Sequence, residues 1–467
     1  MAVAGTIPVY NAANGEIIAE VAESGVEGVS AAVERAARAA REWRAIGAAA
    51  RGETIAAFGR VVAEHTDELA ALDARNAGNP ITGMRRGAMQ GAKTLGYFAG
   101  LALQLTGETI PATPDHLHYT LREPFGVVGI ITPFNHPTLF ATARIAAPLV
   151  AGNAVVLKPA HQTPLSALRL AQLAEEHLPP GLLTVVTGGA STGSALVRHP
   201  EVRRIGFTGG APTALRISAD AADSGIVKRV TYELGGKNAM IILPDVDLDV
   251  AAAAAVEGMN LTRVAGQSCG STSRLFVHES IREALLPRIV DRLAELRFGP
   301  PEEESTQIGA LVSEQQRERV ERYVRIGEEE GAHLVLGGHR PTEEPFDRGF
   351  YFPPTLFDAV QPEMTIARDE IFGPVLSTIG WEDEASMVEA VNATRYGLTA
   401  SIYTNDLTAA HRLAGAVEAG YIWINDVEKR WIGVPFGGQK DSGTGTEYSI
   451  EELYSHTQNK SVSVNLQ

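Results

Sequence analysis

The sequence predicts an α/β protein of two successive doubly wound domains with a small β projection, and three observations carry that prediction. From residue 125 onward, short runs that are apolar on both faces alternate with amphipathic helical segments, the pattern of parallel strands covered by helices on both sides. The series restarts near Ser273, so a second sheet follows the first. A chain of 467 residues also exceeds what one hydrophobic core accommodates and asks for two or three domains.

The first hundred residues read as helical. Ser24 is placed to cap a helix with Val26, Val29, Val33 and Ala37 on one face. A second helix shows Ile55, Phe58 and Val62. Thr66 is placed to cap a third, carrying Leu69 and Leu72, which Asn79-Pro80 stops. Segment 109–122 differs: Pro111, Pro114 and the alternation His118-Tyr119-Thr120-Leu121 predict a protruding hairpin. Strands follow at 127–131, 154–157, 183–186, 205–207 and 240–243, with a helix over 164–177. A domain boundary is expected at 233–237, beside Gly235-Gly236. Beyond it come a strand at 275–277 and a helix at 281–296. Strands at 334–336, 376–379, 401–404 and 421–424 then enclose helices at 386–393 and 407–417. Residues 461–464 read as an edge strand. An edge strand and a hairpin both need partners, so a homodimer or homotetramer is expected.

Composition removes several function classes. A net charge of −16 offers no footprint for nucleic acid or for an anionic membrane. A single cysteine excludes an internal disulfide and CxxC-type sites, and the 12 histidines show no HExxH spacing, so no metal is expected. No apolar run reaches the roughly 18 residues of a membrane span. The first ten residues lack the basic and apolar regions of a signal peptide, and a cytoplasmic location is expected.

Cys269 lies in Gly266-Gln267-Ser268-Cys269-Gly270-Ser271. Its glycines and small polar neighbours suit an exposed, tightly turned thiolate that attacks a carbonyl, and equally an inert small hydrophobe. Glu233 ends a strand before Gly-Gly and can project into an interdomain cleft; alone, it reads as a surface carboxylate or an ion pair with Lys237. Asn135 follows a buried strand, where α/β sheets place ligands and an amide can donate to an oxyanion; alone, it reads as a turn residue. No GxGxxG follows any strand. The Phe207-Thr208-Gly209-Gly210 turn can present backbone N–H groups to phosphates, and Lys158 ends another strand.

These pieces occur in one order: Asn135, Lys158, FTGG at 207–210, ELGGK at 233–237, GQSC at 266–269, EIFGPV at 370–375 and PFGGQKDSG at 435–443. The series resembles the aldehyde dehydrogenase superfamily over nearly the whole chain. The resemblance implies a Rossmann-like cofactor domain from 1–106 and 125–234, a catalytic domain over 235–450, and an oligomerisation part from 107–124 and 451–467. It implies Cys269 as nucleophile, Asn135 and the Cys269 N–H as oxyanion hole, and Glu233 as the base that activates water to hydrolyse a thioester. It implies NAD or NADP beside Thr132, Pro133, Lys158, Ala160, His161, Thr208, Gly209, Gly210 and Leu234. Glu370 then holds the nicotinamide ribose, with Phe372 packed beside it.

Departures from the family pattern sharpen the expectations. Phe134 replaces a common Trp and is expected to pack in its place. His161 replaces a Glu frequent in NAD-preferring members, so repulsion of a 2′-phosphate is removed and NADP is expected to be accepted. By alignment the aldehyde tunnel is lined by His136, Leu139, Phe140, Ala143, Ser268, Gly270 and loop 426–434. Ala143, small where an aromatic residue is frequent, predicts a wide tunnel. Trp431 can stack on a flat substrate and Arg430 can pair with a carboxylate; the competing reading sends Lys429 and Arg430 to solvent. A CoA-acylating semialdehyde dehydrogenase and a non-catalytic relative of the same fold are the alternatives. Retention of Glu233 speaks against the first, and retention of all three catalytic residues against the second.

Overall fold

The computed structural model describes residues 5–467; the first four residues, with their part of the N-terminal readings, lie outside the described residues. Two parallel sheets organise the chain. The first has five strands in the spatial order Leu183–Val185, Ala154–Lys158, Val127–Ile131, Val202–Thr208, Arg229–Glu233. All neighbours are parallel. The chain therefore winds outward twice from Val127–Ile131 and returns to its other side, leaving a crevice at the carboxyl ends of Val127–Ile131 and Val202–Thr208. The second sheet has seven strands, ordered His333–Leu336, Thr355–Asp358, Val375–Trp381, Arg274–His278, Ala239–Ile242, Thr399–Tyr403, Tyr421–Ile424. Only His333–Leu336, at its edge, is antiparallel.

Alternation along the second sheet's strands shows why they form there. Ile241, Phe276 and Ile402 enter the core on one face, while Met240, Ile242, Leu275 and Val277 enter the core on the other. The first sheet is packed by Val29, Val33, Trp43, Phe58, Leu95 and Ile145 from the surrounding helices. Helix Pro137–Val150 is buried along almost its whole length and starts with Pro at its first position.

The C-terminal strand Thr457–Asn465 pairs antiparallel with His116–Pro124, which pairs in turn with Thr109–Ile110. The expected hairpin and terminal strand thus form one three-stranded sheet.

Three readings of the N-terminal region are corrected. The chain opens not with a helix but with the antiparallel hairpin Thr6–Tyr10 and Ile17–Ala22. Its signal was present in Asn14-Gly15, where Gly15 takes φ +75°, but only Val9 and Val21 of its strands are buried, so the apolar pattern is faint. Ser24 does not cap helix Gly25–Ala45 with its side chain; its Oγ accepts from the Thr187 N–H at 3.0 Å, and Val26 is exposed. Thr66 is the first residue of helix Thr66–Ala77, and its hydroxyl donates back to the Ala63 carbonyl at 2.8 Å. Helix Glu314–Glu329, unpredicted, is so polar that Val320 and Val324 are its only large buried apolar side chains.

Candidate functional site

Between the carboxyl ends of the first sheet and the loops that enter the second lies a cavity of about 720 Å³. Cys269, Glu233 and Asn135 all line it. Cys269 and Asn135 also line a second cavity of about 290 Å³, so the thiol stands where the two spaces meet.

Local backbone geometry sets the thiol there. Ala265 and Gly266 are successive left-handed residues (φ 49° and 77°), and the Cβ of any larger residue at Gly266 would come within 2.5 Å of the Gly373 carbonyl. The turn is closed by Ser271 N–H to Ser268 O at 3.2 Å and Gly270 N–H to Ser268 Oγ at 3.2 Å. Gly270 is crowded by side-chain ends: a Cβ would meet Arg430 Nη2 at 2.4 Å and displace it. The glycine flanks therefore mark crowding rather than the exposure read from the sequence, and Cys269 is only partly open. Asn238 Nδ2 holds the Cys269 carbonyl at 2.7 Å, and the Cys269 N–H meets no chain acceptor among the described residues. Burial pushes the thiol up to about 11; Arg430 is the nearby cation that opposes this, and Glu370, Glu428 and Glu447 add to it.

Asn135 is buried, and its Nδ2 donates to the Gln267 carbonyl at 2.8 Å. One amide hydrogen is thereby fixed and the other is left for the space beside Cys269. Asn79 Nδ2 donates to the Asn135 carbonyl at 2.8 Å and steadies the loop.

Glu233 ends its strand and is buried, with neither carboxylate oxygen hydrogen-bonded. The ion pair with Lys237 is not formed; the Lys237 ammonium is itself buried without a partner. Burial raises the Glu233 carboxyl well above its ordinary value, Glu447 adds to the rise, and Arg144 opposes it. Its Oε1 stands over Gly445, where a Cβ would come within 2.5 Å. Behind it a small cavity of about 30 Å³, room for a water, is walled by Arg144, Arg204, Glu447, Glu452 and His456. Arg144 is bound to Glu447 there. Arg144 and Glu447 were missed in the sequence, although Arg144 is the single charge in its helix.

The structure gathers the remaining expected residues on the larger cavity. Thr132, Pro133, Lys158, Ala160 and His161 line one part, and Thr208, Gly209, Gly210 and Leu234 another. Glu370 and Phe372 close the end near Cys269. The Lys158 ammonium, held down to about 8 by burial, donates among the described residues only to the Pro159 carbonyl at 3.2 Å. Glu370 accepts from the Gly236 N–H at 3.0 Å and leaves its other oxygen without a chain partner. Phe372, at φ 60°, meets Phe134 edge to face with ring centroids 5.6 Å apart, as expected for the Trp replacement. Gln316 and Arg319 hold this loop through the carbonyls of Phe372 (2.8 Å) and Ile371 (3.2 Å); neither was anticipated. One detail is corrected. The Gly209 N–H is committed to the Glu233 carbonyl at 3.0 Å, and a Cβ on Gly209 would strike the Phe207 ring at 2.4 Å. Gly209 thus serves packing, and it is Gly210, capping helix Ala211–Asp223, that opens the helix N-terminus to the cavity. An ammonium with donors to spare, a half-used carboxylate and an open helix start suit the hydroxyls and phosphates of a dinucleotide.

The smaller cavity receives His136, Phe140, Ser268, Arg430 and Trp431. Ala143 is absent from its wall: it is buried against Phe436 and Tyr448, and Tyr448 lines the cavity instead. The width expected from a small residue is therefore filled. Lys429 and Arg430 both line the cavity but differ: Lys429 is exposed and paired with Asp426 at 2.9 Å, whereas Arg430 is the less exposed and lies over the Phe436 ring at 4.3 Å. Trp431 is largely exposed at the rim. His136 is held down to about 3 by burial and by Arg430 and Arg263, so it is neutral.

Three comparisons agree with this geometry. The chain matches the model of the aldehyde dehydrogenase family over residues 2–462. A curated relative, aldehyde dehydrogenase tropH of Talaromyces stipitatus, is 43% identical over 463 residues, covering 98% of this chain and 89% of the relative. Among solved structures, an NAD-dependent aldehyde dehydrogenase from Sinorhizobium meliloti superposes with a TM-score of 0.95 at 38% identity, covering 100% of this chain and 92% of that one. An aldehyde dehydrogenase from Bacillus cereus, solved as its NAD+ complex, superposes at 0.95 with 36% identity, covering 99% and 94%. No helix among the described residues is long and apolar enough to cross a membrane, and no group of His, Cys, Asp and Glu among them is arranged to hold a metal.

Proposed function

The chain belongs to the aldehyde dehydrogenase family and oxidises aldehydes with a nicotinamide cofactor; from that premise we propose that Cys269, Asn135 and Glu233 divide the chemistry among them and that the product is the free acid. The observation that carries this reading is the buried Glu233 carboxyl, unpartnered and in the same cavity as the thiol.

The Cys269 thiol gives its proton to solvent water and its sulfur bonds to the aldehyde carbon. The carbonyl oxygen takes the negative charge and is held by the free Asn135 amide hydrogen and the Cys269 N–H. When bound, the nicotinamide supplies the two-electron acceptor that turns the resulting thiohemiacetal into a thioester. Glu233 removes a proton from water, the water oxygen attacks the thioester carbon, and the C–S bond breaks to release acid and thiolate. Burial and the neighbouring Glu447 raise the Glu233 carboxyl, which makes the carboxylate the stronger base toward water, and a water-sized cavity lies behind it.

The dinucleotide is proposed to lie along the larger cavity, with Lys158 and Glu370 on its two riboses and Gly210 at its pyrophosphate. Segments 1–106 and 125–234 would form the unit that binds it, 235–450 the unit that presents Cys269, and 107–124 with 451–467 the surface that pairs with a second copy.

Rapid-quench mixing of Glu233→Gln with NAD and aldehyde tests the division of labour. One equivalent of NADH per chain is expected in a burst, followed by turnover slowed about 10²- to 10⁴-fold, and intact-mass measurement shows the acyl adduct on Cys269. Cys269→Ala yields neither. An unaltered steady state in Glu233→Gln would overturn the role of Glu233.

A further inference from the structure

The wall of the smaller cavity carries three guanidinium groups. Arg86, Arg263 and Arg430 line it, and none of their side chains makes a hydrogen bond within the described residues. Arg430 is the innermost. Its Nη2 stands over Gly270, next to the nucleophile, and its Nε is buried with no partner. The nearest carboxylate, Glu428, is 3.9 Å away and leaves Oε1 equally unbonded. A planar five-donor group with its Nε buried and unpaired among the described residues, and its one carboxylate neighbour no closer than 3.9 Å, has donors left for a ligand. Arg86 and Arg263 stand farther out, where the cavity meets an outer vestibule of about 500 Å³ that also holds Arg292 and Arg297. Against them stand Glu428 inside and Glu257 and Glu295 in the vestibule. A chain of net charge −16 thus concentrates positive charge along the smaller of the two cavities that reach Cys269.

Resting on the oxidation proposed above, we propose that the physiological substrate is a short aldehyde bearing a carboxylate, with Arg430 binding that group bidentately and Arg86 and Arg263 drawing it in. A volume of about 290 Å³ lies at the small end of ligand pockets, so aldehyde and carboxylate belong to one compact molecule. Arg430 is the specificity residue; its planar fork matches a carboxylate, and Phe436 beneath it fixes its plane.

Steady-state rates with NAD compare 4-carboxybenzaldehyde with 4-methylbenzaldehyde, and succinate semialdehyde with butanal. The expected ratio of kcat/KM, acid over neutral, is about ten- to a hundredfold in each pair, shrinking as salt is raised. Arg430→Met is expected to bring that ratio toward one, chiefly through KM for the acids, and Arg430→Lys to keep part of it. Terephthalate, which carries no aldehyde, is expected to shield Cys269 from iodoacetamide in the wild-type protein more strongly than terephthalamide, a measurement that needs no variant to fold. Preference for the neutral partner, a ratio unmoved by Arg430→Met, or equal shielding by the two terephthalyl compounds overturns the anionic substrate and leaves aldehyde oxidation standing. Absence of NADH formation from all four aldehydes, with NADP giving none either, overturns both.

Discussion

Asn135 donates its side-chain amide to the carbonyl of Gln267, two residues before Cys269, at 2.8 Å. The loop after Val127–Ile131 is in this way locked to the loop that carries the thiol, across 132 residues of chain. The bond also orients the amide so that its second hydrogen is fixed before any aldehyde arrives, which is the condition for an effective oxyanion donor. Asn135→Ala is therefore expected to lower kcat by about 10²- to 10³-fold, with the loss mostly in kcat. Stopped-flow NADH formation checks it. A variant that loses affinity alone would assign Asn135 to substrate binding.

The state of the thiol gives a pH prediction. Burial holds Cys269 at about 11, against an ordinary 9.0, so the neutral thiol dominates at pH 7 and the reactive fraction grows with pH. Below that value, alkylation of the cofactor-free protein by iodoacetamide is expected to quicken about tenfold per pH unit. Arg430 favours the thiolate and Glu428 opposes it, so Arg430→Met should slow alkylation at pH 8 and Glu428→Gln should speed it. Time courses followed by mass spectrometry read all three. A rate that levels off near pH 8 in the wild-type protein would contradict the burial argument.

The parts of this molecule legible in its sequence are those whose cause is local. Val127–Ile131 and Ala154–Lys158 are buried at every residue, and an unbroken apolar run announces that directly. Cys269, Glu233 and Asn135 each read ambiguously in their own segments, and it was the order of the motifs along the chain that singled them out together. The N-terminal hairpin and helix Glu314–Glu329 were missed because both bury too little apolar surface to leave a clear period. Arg86 and Arg263 were invisible for a different reason. Nothing around them in the sequence separates a cavity arginine from a solvated one; only the fold brings them to one wall with Arg430, more than 150 residues further along. Ala143 shows the converse error, since its size was read correctly but the space beside it belongs to Tyr448 and Phe436.

His161 faces the larger cavity beside Lys158, and burial together with the Lys158 charge lowers its pKa, so it is neutral at pH 7. It neither repels nor strongly attracts a 2′-phosphate. Glu23 supplies the opposing charge in this region: its Oε1 accepts from the Gly189 N–H at 3.3 Å, and it acts electrostatically on Lys158. Measurable use of NADP is expected, with His161→Glu lowering kcat/KM for NADP about tenfold or more through like-charge repulsion and Glu23→Gln raising it. Rates with both cofactors decide; a wild-type protein inert with NADP would leave His161 without the proposed effect.

Asp73 carries a stability prediction that reaches the site. Its Oδ2 accepts from the Thr138 N–H at 2.9 Å, capping helix Pro137–Val150 from another helix, and both residues are buried. Asp73→Ala leaves that N–H without a partner, at a cost of about 1–3 kcal/mol, and the urea midpoint should fall accordingly; Asp73→Asn keeps an acceptor and should lose less. Burial raises the Asp73 carboxyl from 3.8 to about 6, partly offset by the hydrogen bond from the Thr138 N–H. A carboxyl raised on folding favours the native state most when protonated. Its contribution is therefore full below about pH 4 and declines as pH rises through about 6. The stability of Asp73→Asn should depend less on pH across that window than that of the wild-type protein, which paired urea titrations at pH 5 and pH 8 would show. Because the capped helix carries Phe140 and Arg144, Asp73→Ala should also raise KM for aldehyde at a temperature where the variant is still folded. An unchanged KM would confine Asp73 to stability.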